Sequence, residues 1–365
     1  MIHFFTGTKA QFIKMAPVQV ELRRRGVPCR DVDSGQHIRL TTGIRRSFGL
    51  PEPDVRLRAD GDDIASMGAA GTWFFRTACR AVTGRRALRR EVFPGGGICL
   101  IHGDTLSTLL GLWLARGAGL EVAHVEAGLR SFRRWDPFPE ELIRVHCTKR
   151  ADVLFPTNRQ AAEQLDRIGG RGRIAPLSGN TVIDALRLAR GLPVSVPVPD
   201  GPFALATCHR VETLMSRVRL RRVVELVNRV AEMMPVVFVM HQPTRSALER
   251  TGLAGTLAPS VTRLGLLDYP DFVAMLYGAR LVLSDGGSIQ EECACIGKPL
   301  LVLRSVTERP DGLGENAVLW GFDDEVASRF LDGAMNGALL EPEERASPSA
   351  EIADALVEMG YGTES

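Results

Sequence analysis

Short, unbroken apolar runs recur along this chain, each ending in a small or ionisable residue and each followed by a longer amphipathic stretch. In the first half IHFFTG precedes a helical pattern over residues 13–25, GICLIHGD one over 106–116, EVAHVEAG one over 140–149, and ADVLFPT one over 160–168. Strands that are apolar at successive rather than alternate positions are buried on both faces, which calls for a parallel sheet covered by helices on both sides. The rhythm breaks at GNTVIDALRLARGLPVSVPVPDGP, where Pro, Val and Gly accumulate. It restarts with FALATCHR, a helix over 216–233, the strand VVFVMH, extended residues over 260–266, a helix over 270–277, the strand LVLSD and a helix beginning near residue 289. The expected fold is α/β, with two Rossmann-like doubly wound domains in tandem, residues 1–185 and 186–365. The chain length of 365 residues agrees, because single hydrophobic cores stop growing near ~250–300 residues. Residues 57–97, Arg-rich and ending in GGG, carry no readable pattern.

Several function classes lose ground on composition. A net charge of +2 leaves no global attraction for nucleic acid or an anionic membrane, so any anion site must be local. Seven scattered cysteines form neither paired zinc spacings nor a secreted disulfide pattern, and the first residues lack a basic region, an apolar core and a cleavage site. The apolar run over 106–114 is too short to span a bilayer. A cytoplasmic protein is expected. There is no G-x-G-x-x-G fingerprint and no G-x-x-x-x-G-K-[ST] loop, which weakens nicotinamide redox and P-loop ATPase readings.

The unusual residues sit where doubly wound sheets collect ligands, after the strand ends. In LVLSDGGSIQEE, a turn at Gly286, Gly287 and Ser288 leads into a helix opening with Gln290, Glu291 and Glu292. Glycines would let a diphosphate approach the backbone, and a carboxylate on that helix would accept from ribose hydroxyls. The same letters suit a plain helix start, with Ser288 as cap and the acids complementing the dipole. Arg309, in the loop TERPDG, is either a phosphate clamp or a solvated side chain. Asp104 in HGDT, Glu126 in HVEAGLR, Glu140 and Glu141 in FPEE, and His209 with Arg210 in ATCHRVE are ionisable groups at four further strand ends or loops. Converging carboxylates are what proton transfer needs, since crowding and desolvation spread their pKa values. Against this, Asp104 could cap the following helix, and Glu140 with Arg144 could be a helix-surface pair at i,i+4 spacing. His102 and His124 fall inside strand patterns, as core or supporting groups; His241 in VMHQPTR is ambiguous. No metal site is expected, because short ligand spacings are missing.

Together GTKAQFIKMAPV, SGQH, HGDT, HVEAGLRS, PFPEELIR, GNTVIDAL, ATCHR, SDGGSIQEE, GKPLLVLR and TERP follow the order found in the UDP-N-acetylglucosamine 2-epimerase family, which the chain resembles from about residue 6 to residue 323. The resemblance implies a glycosyltransferase-B type architecture with an interdomain cleft, a homodimer, and a final helix packing back on the first domain. It implies that Asp104, Glu126, Glu140 and His209 carry the chemistry, that Arg144 supports Glu140, and that Lys14 lies near substrate. The nucleotide would be held by Gly287, Ser288, Glu292, Arg309 and His241, with Arg210 beside them. Gln36 and His37 match a loop that binds an activating second substrate in bacterial members, although Arg39 replaces the polar residue usual there. The implied reaction is cofactor-free interconversion of UDP-N-acetylglucosamine and UDP-N-acetylmannosamine through elimination of UDP. Rival readings are the hydrolysing enzyme that releases UDP and N-acetylmannosamine, a UDP-sugar transferase of the same fold, a non-catalytic UDP-sugar sensor, and an epimerase of a related UDP-diacetamido uronic acid. The chain departs from the family pattern at Lys9, Ala10 and Gln11, where Arg, Pro and Glu are common, in DGGS for DSGG, and at Thr213 for Asn.

Overall fold

A computed structural model of the chain describes residues 1–58, 63–64, 67–130, 139–307, 309–337 and 346–362. The chain forms two compact units, Met1–Leu188 with Arg345–Ser365, and Ala189–Glu344.

The first unit is built on seven parallel strands: β1 (Ile2–Thr6), β2 (Cys29–Asp33), β3 (Val55–Arg56), β4 (Ile98–His102), β5 (Glu121–Val125), β6 (Val153–Phe155) and β7 (Arg173–Ile174). Their order is β3-β2-β1-β4-β5-β6-β7. Every residue of β1 and β4 is buried. Both faces of these strands must therefore be apolar, and that is why they read as continuous runs. The helix Lys9–Arg24 starts four residues before the patterned stretch suggests. Thr8 accepts from the Gln11 backbone N–H, and the Gln11 side chain accepts from the Thr8 N–H, a reciprocal cap that needs no apolar residue. The unreadable stretch contains a helix, Met67–Thr83, packed on the helix Leu106–Ala118. Its buried stripe of Ala70, Trp73 and Thr77 is interrupted by an exposed Phe75, so no clean period emerges. The last helix, Pro348–Glu358, packs along Lys9–Arg24, placing Ile352, Ala353 and Leu356 in one core with Met15, Val18 and Leu22. A fully buried Leu of this kind contributes about 1.5–3 kcal/mol.

The second unit repeats the plan with β8 (Ala204–Thr207), β9 (Val236–Val239), β10 (Val261–Leu264), β11 (Leu281–Ser284), β12 (Leu300–Val302) and β13 (Ala317–Leu319). All pair in parallel, in the order β10-β9-β8-β11-β12-β13. Ser216 caps the helix Arg217–Ala231, whose Leu220, Val223, Val224, Val227 and Val230 recur at helical spacing and enter the core beside Phe238 and Leu283.

In each sheet the strand order reverses once, between β1 and β4 and between β8 and β11. Helices leave such a switch point on opposite faces, opening a crevice beyond the carboxyl ends of the two strands. The residues at these ends are Thr6 and His102 in the first unit, and Thr207 and Ser284 in the second.

Candidate active site

At the end of β4 the chain turns through Gly103, whose φ of +68° suits glycine, and Thr105 then caps the next helix with its own hydroxyl. Asp104 is thereby released from capping. Its carboxylate, 25% exposed, pairs with Arg144 of the helix Glu140–Arg150. Arg144 does not pair with Glu140, as the i,i+4 spacing suggested; its other partner is Glu141, at 2.7 Å and i,i+3. The reason is burial. Glu141 faces inward and is nearly inaccessible, whereas Glu140 heads the helix at intermediate exposure. Glu141 also accepts from Nε of Arg130 at 2.5 Å, so one buried carboxylate gathers two guanidinium groups, one of which reaches Asp104. The first two residues of PFPEELIR lie outside the described residues.

Beyond β5, Glu126 adopts φ +67°, one of two non-glycine residues in the left-handed region among the described residues. Such a backbone costs about 1–3 kcal/mol and persists where its surroundings over-determine it, commonly at functional sites. The surroundings here are Lys14 Nζ, 2.5 Å from Glu126 Oε1, and Asn180 Nδ2, which donates to the same oxygen at 2.8 Å. His102 Nε2 lies 3.5 Å from Oε2. Lys14 and Glu126 are 3% and 5% exposed, a charge pair out of water. Since β4 and β5 are neighbours with His102 opposite Val125, Asp104 and Glu126 follow adjacent strand ends.

Burial lowers the pKa values of His102 and His124 to about 4, so both imidazoles are neutral at pH 7. His124 donates from Nε2 to the Gly103 carbonyl at 2.8 Å and accepts at Nδ1 from the Thr148 hydroxyl, 3.2 Å away, bracing the turn that carries Asp104.

The β1 turn is joined to this group. Gln11 Nε2 donates to the His102 carbonyl and to the Thr108 hydroxyl, both at 2.8 Å. Gly7 permits a close approach, because a Cβ there would lie 2.0 Å from Ser34 Oγ. Gln36 accepts from the Ser107 hydroxyl at 2.6 Å; His37 accepts at Nδ1 from the Lys9 N–H at 3.4 Å and donates its own N–H to the Gly7 carbonyl. The two residues suggested for an activator loop thus contact the β1 and β4 turns themselves.

In the second unit, His209 and Arg210 follow β8, and their backbone N–H groups both donate to Asp285, which follows β11 and is fully buried. The His209 ring stacks on His241 with centroids 5.1 Å apart and 19° between planes. The helix Gly287–Cys295 begins at Gly287, with Gly286 at the cap position and no side-chain cap, so Ser288 is not the cap; it and Gly287 form the first turn. Uncapped N–H groups next to glycine suit an anion. Gln290, Glu291 and Glu292 are all buried. Gln290 donates to the Arg309 and Asp311 carbonyls at 3.0 and 2.9 Å, and Glu291 pairs with Arg309, so this helix fixes the loop that carries Arg309. Glu292 accepts from the Tyr269 hydroxyl at 3.1 Å.

Two contributors are not singled out by the sequence: Asp285 and Asn180 lie inside SDGGS and GNTVIDAL, where the glycines draw attention; Glu141 is named there with Glu140, but not as the inward member of the pair. The signal available was position: Asp285 directly follows an apolar strand, as Asp104 nearly does.

A cavity of about 1350 Å3 lies elsewhere. It is lined by Phe74, Phe75, Trp113 and His146, together with Glu121 and Asp152 at the amino ends of β5 and β6, the opposite edge of the sheet from Asp104 and Glu126. Among the described residues no His, Cys, Asp and Glu cluster could hold a metal, and no helix is long and apolar enough to cross a membrane.

A family model described as UDP-N-acetylglucosamine 2-epimerase matches residues 21–335. The UDP-N-acetylglucosamine 2-epimerase of Bacillus subtilis (strain 168) is 30% identical over 335 residues, 87% of this chain and 83% of that protein. The UDP-2,3-diacetamido-2,3-dideoxy-D-glucuronate 2-epimerase of Pseudomonas aeruginosa is 31% identical over 314 residues, 83% of this chain and 82% of its own. Among solved structures, the Methanocaldococcus jannaschii UDP-GlcNAc 2-epimerase in complex with UDP-GlcNAc and UDP superposes with a TM-score of 0.80 at 25% identity, covering 98% of this chain and 99% of that one.

Proposed function

This chain belongs to the UDP-N-acetylglucosamine 2-epimerase family, and on that premise we propose that it interconverts UDP-N-acetylglucosamine and UDP-N-acetylmannosamine without releasing the sugar. The observation that carries the reading is the set of ionisable groups at adjacent strand ends of the first unit, Asp104 held by Arg144 and Glu126 held by Lys14.

The proton on C2 of an N-acetylhexosamine is too weakly acidic for a carboxylate at neutral pH. Breaking the C1–O bond to UDP as that proton leaves puts positive charge on C1 and acidifies C2. The electron pair of the C2–H bond becomes the C1=C2 double bond of 2-acetamidoglucal, and UDP departs with the C1–O pair. Returning UDP to C1 and a proton to the other face of C2 gives the epimer. Two proton-handling groups are therefore required, and Asp104, Glu126 and Glu140 are the candidates, each contributing roughly 10²–10⁴-fold as a general acid or base. Arg144 and Lys14 hold two of these carboxylates in place. In the second unit the uncapped turn at Gly287 and Ser288 suits the diphosphate, with Arg309, Arg210 and His241 beside it and Glu292 for the ribose; His209 serves as the proton donor or acceptor for departing and returning UDP.

Proton NMR with UDP-N-acetylglucosamine in D2O, with no cofactor added, tests the reading. UDP-linked manno signals with deuterium at C2 are expected. Free N-acetylmannosamine with UDP identifies the hydrolysing outcome, and absence of C2 exchange sinks the proposal for this sugar. The Pseudomonas relative inverts the same carbon of a diacetamido uronic acid, so UDP-2,3-diacetamido-2,3-dideoxy-D-glucuronate is the second substrate to offer; faster exchange with it would reassign the sugar.

Glu292→Ala is expected to weaken UDP binding about 10–100-fold by calorimetry, the worth of hydrogen bonds to one charged acceptor. Unchanged affinity would remove Glu292 from the ribose site.

We place the enzyme in the cytoplasm, where UDP-sugars are made, in keeping with its seven free cysteines. We also propose a homodimer seated on the groove of Phe74, Phe75 and Trp113, since Phe75 and Trp113 are 71% and 36% exposed. Light scattering after size exclusion should give twice the chain mass for the native protein and the single mass for Phe75→Glu; a monomeric native protein at micromolar concentration rejects the dimer.

A further inference from the structure

Asp285 collects donors from one turn of the neighbouring strand. The backbone N–H of His209 donates to its Oδ1 and Oδ2 at 3.0 and 3.1 Å, the N–H of Arg210 to Oδ2 at 2.9 Å, and the Cys208 thiol to Oδ2 at 3.2 Å. A fully inaccessible carboxylate is tolerable with this many donors. The His209 ring lies on the same group: its Nδ1 is buried and stands 3.4 Å from Asp285 Oδ1, an ion-pair distance longer than a hydrogen bond, while 34% of the side chain stays exposed. Two further surfaces define the ring's seat. His241 stacks on one face, and Gly286 lies so close that a Cβ there would stand 2.9 Å from His209 Cε1. With Nδ1 turned inward and Cε1 against Gly286, the edge of the imidazole carrying Nε2 is the one turned away from Asp285.

We propose that Asp285 is the positioning residue for His209: it holds the proton of the neutral ring on Nδ1, so that Nε2 is the atom presented to a ligand, and its negative charge favours the protonated ring. The carboxylate directly follows β11 and the imidazole stands two residues after β8, the two strands at the switch point, so the ring is set by the ends of both strands rather than by its own loop alone. Among the described residues the titratable groups around the ring include Asp285 beside Nδ1, His241 on its face, the Cys208 thiol through Asp285, and Arg210, which follows in the chain and faces Glu212 at 3.3 Å. Asp285 is adjacent to the glycines of the uncapped helix start, so one short segment orients the histidine and offers N–H groups to an anion. The proposal rests on the epimerase reading only for the use made of Nε2.

Two-bond proton–nitrogen correlation spectra of the full chain without ligand, with the His209 signals identified by their loss in His209→Gln, test this directly. The neutral ring should carry its proton on Nδ1. In Asp285→Asn its pKa should fall by about one unit or more, the effect of removing an opposite charge at this range, and the limb of the kcat/KM profile that His209 controls should move to lower pH by the same amount. A structural role alone would lower the melting temperature of Asp285→Asn and leave pKa and profile where they were. A neutral ring protonated on Nε2 in the native chain, or an unmoved pKa in Asp285→Asn, overturns the proposal; the first result does not require Asp285→Asn to fold. Absence of C2 exchange in the native protein would defeat the epimerase reading without altering these spectra.

Discussion

Asp104→Asn should lower turnover by about 10³-fold or more while leaving UDP affinity within a few-fold. The size follows from removing a general acid or base outright, and the selectivity follows from placement. Asp104 stands after β4 in the first unit, and the candidate nucleotide groups belong to the second. The fold should survive the change, because Thr105 supplies the helix cap and Arg144 keeps Glu141 at 2.7 Å as its partner. A melting temperature near that of the native protein, together with native UDP binding by calorimetry, would show that the loss is chemical. Turnover within tenfold of native would remove Asp104 from the proton-transfer set and leave that role to Glu126 and Glu140.

What the sequence discloses and what it conceals have physical causes. The sheets were legible because their central strands are buried on both faces, so Leu281, Val282 and Leu283 are apolar without a break and Ile2, Phe4 and Phe5 are broken only by the buried His3. Asp104, Glu126 and His209 were legible for the converse reason: an ionisable residue just after such a run lies where a doubly wound sheet opens to ligands. The partner of Arg144 was not legible, since positions three and four residues back lie on neighbouring parts of one helix surface. Burial chose Glu141. Asn180 reaches Glu126 across 54 residues of chain, a distance no local pattern spans. Asp285 was hidden by its own motif, in which glycines advertise a phosphate turn while the preceding carboxylate ties two strands together. The helix Met67–Thr83 was lost for want of a clean apolar stripe.

The Lys14–Glu126 pair gives the largest expected effect on stability. Lys14→Met removes one charge from a pair whose members are 3% and 5% exposed; among the described residues the Asn180 amide and the His102 ring stay beside the carboxylate. Breaking a buried pair on one side typically costs about 3–5 kcal/mol, because the surviving charge stays out of water. For a domain of this size that is roughly a 10 °C fall in melting temperature. The pH dependence identifies the cause. With Lys14 gone, burial disfavours the Glu126 anion and raises its folded pKa above the unfolded value, so the folded state binds the extra proton as pH falls. The variant's deficit should therefore be greatest at neutral pH and shrink on acidification toward the ordinary carboxylate range. Lys14→Met with Glu126→Gln should recover most of the loss, since neither charge then remains buried. Activity should not recover with it, because the proposed chemistry needs the Glu126 carboxylate. A single-variant deficit that stays below about 1 kcal/mol and is flat with pH would mean that water reaches Glu126 and that the pair does not hold the strained turn after β5.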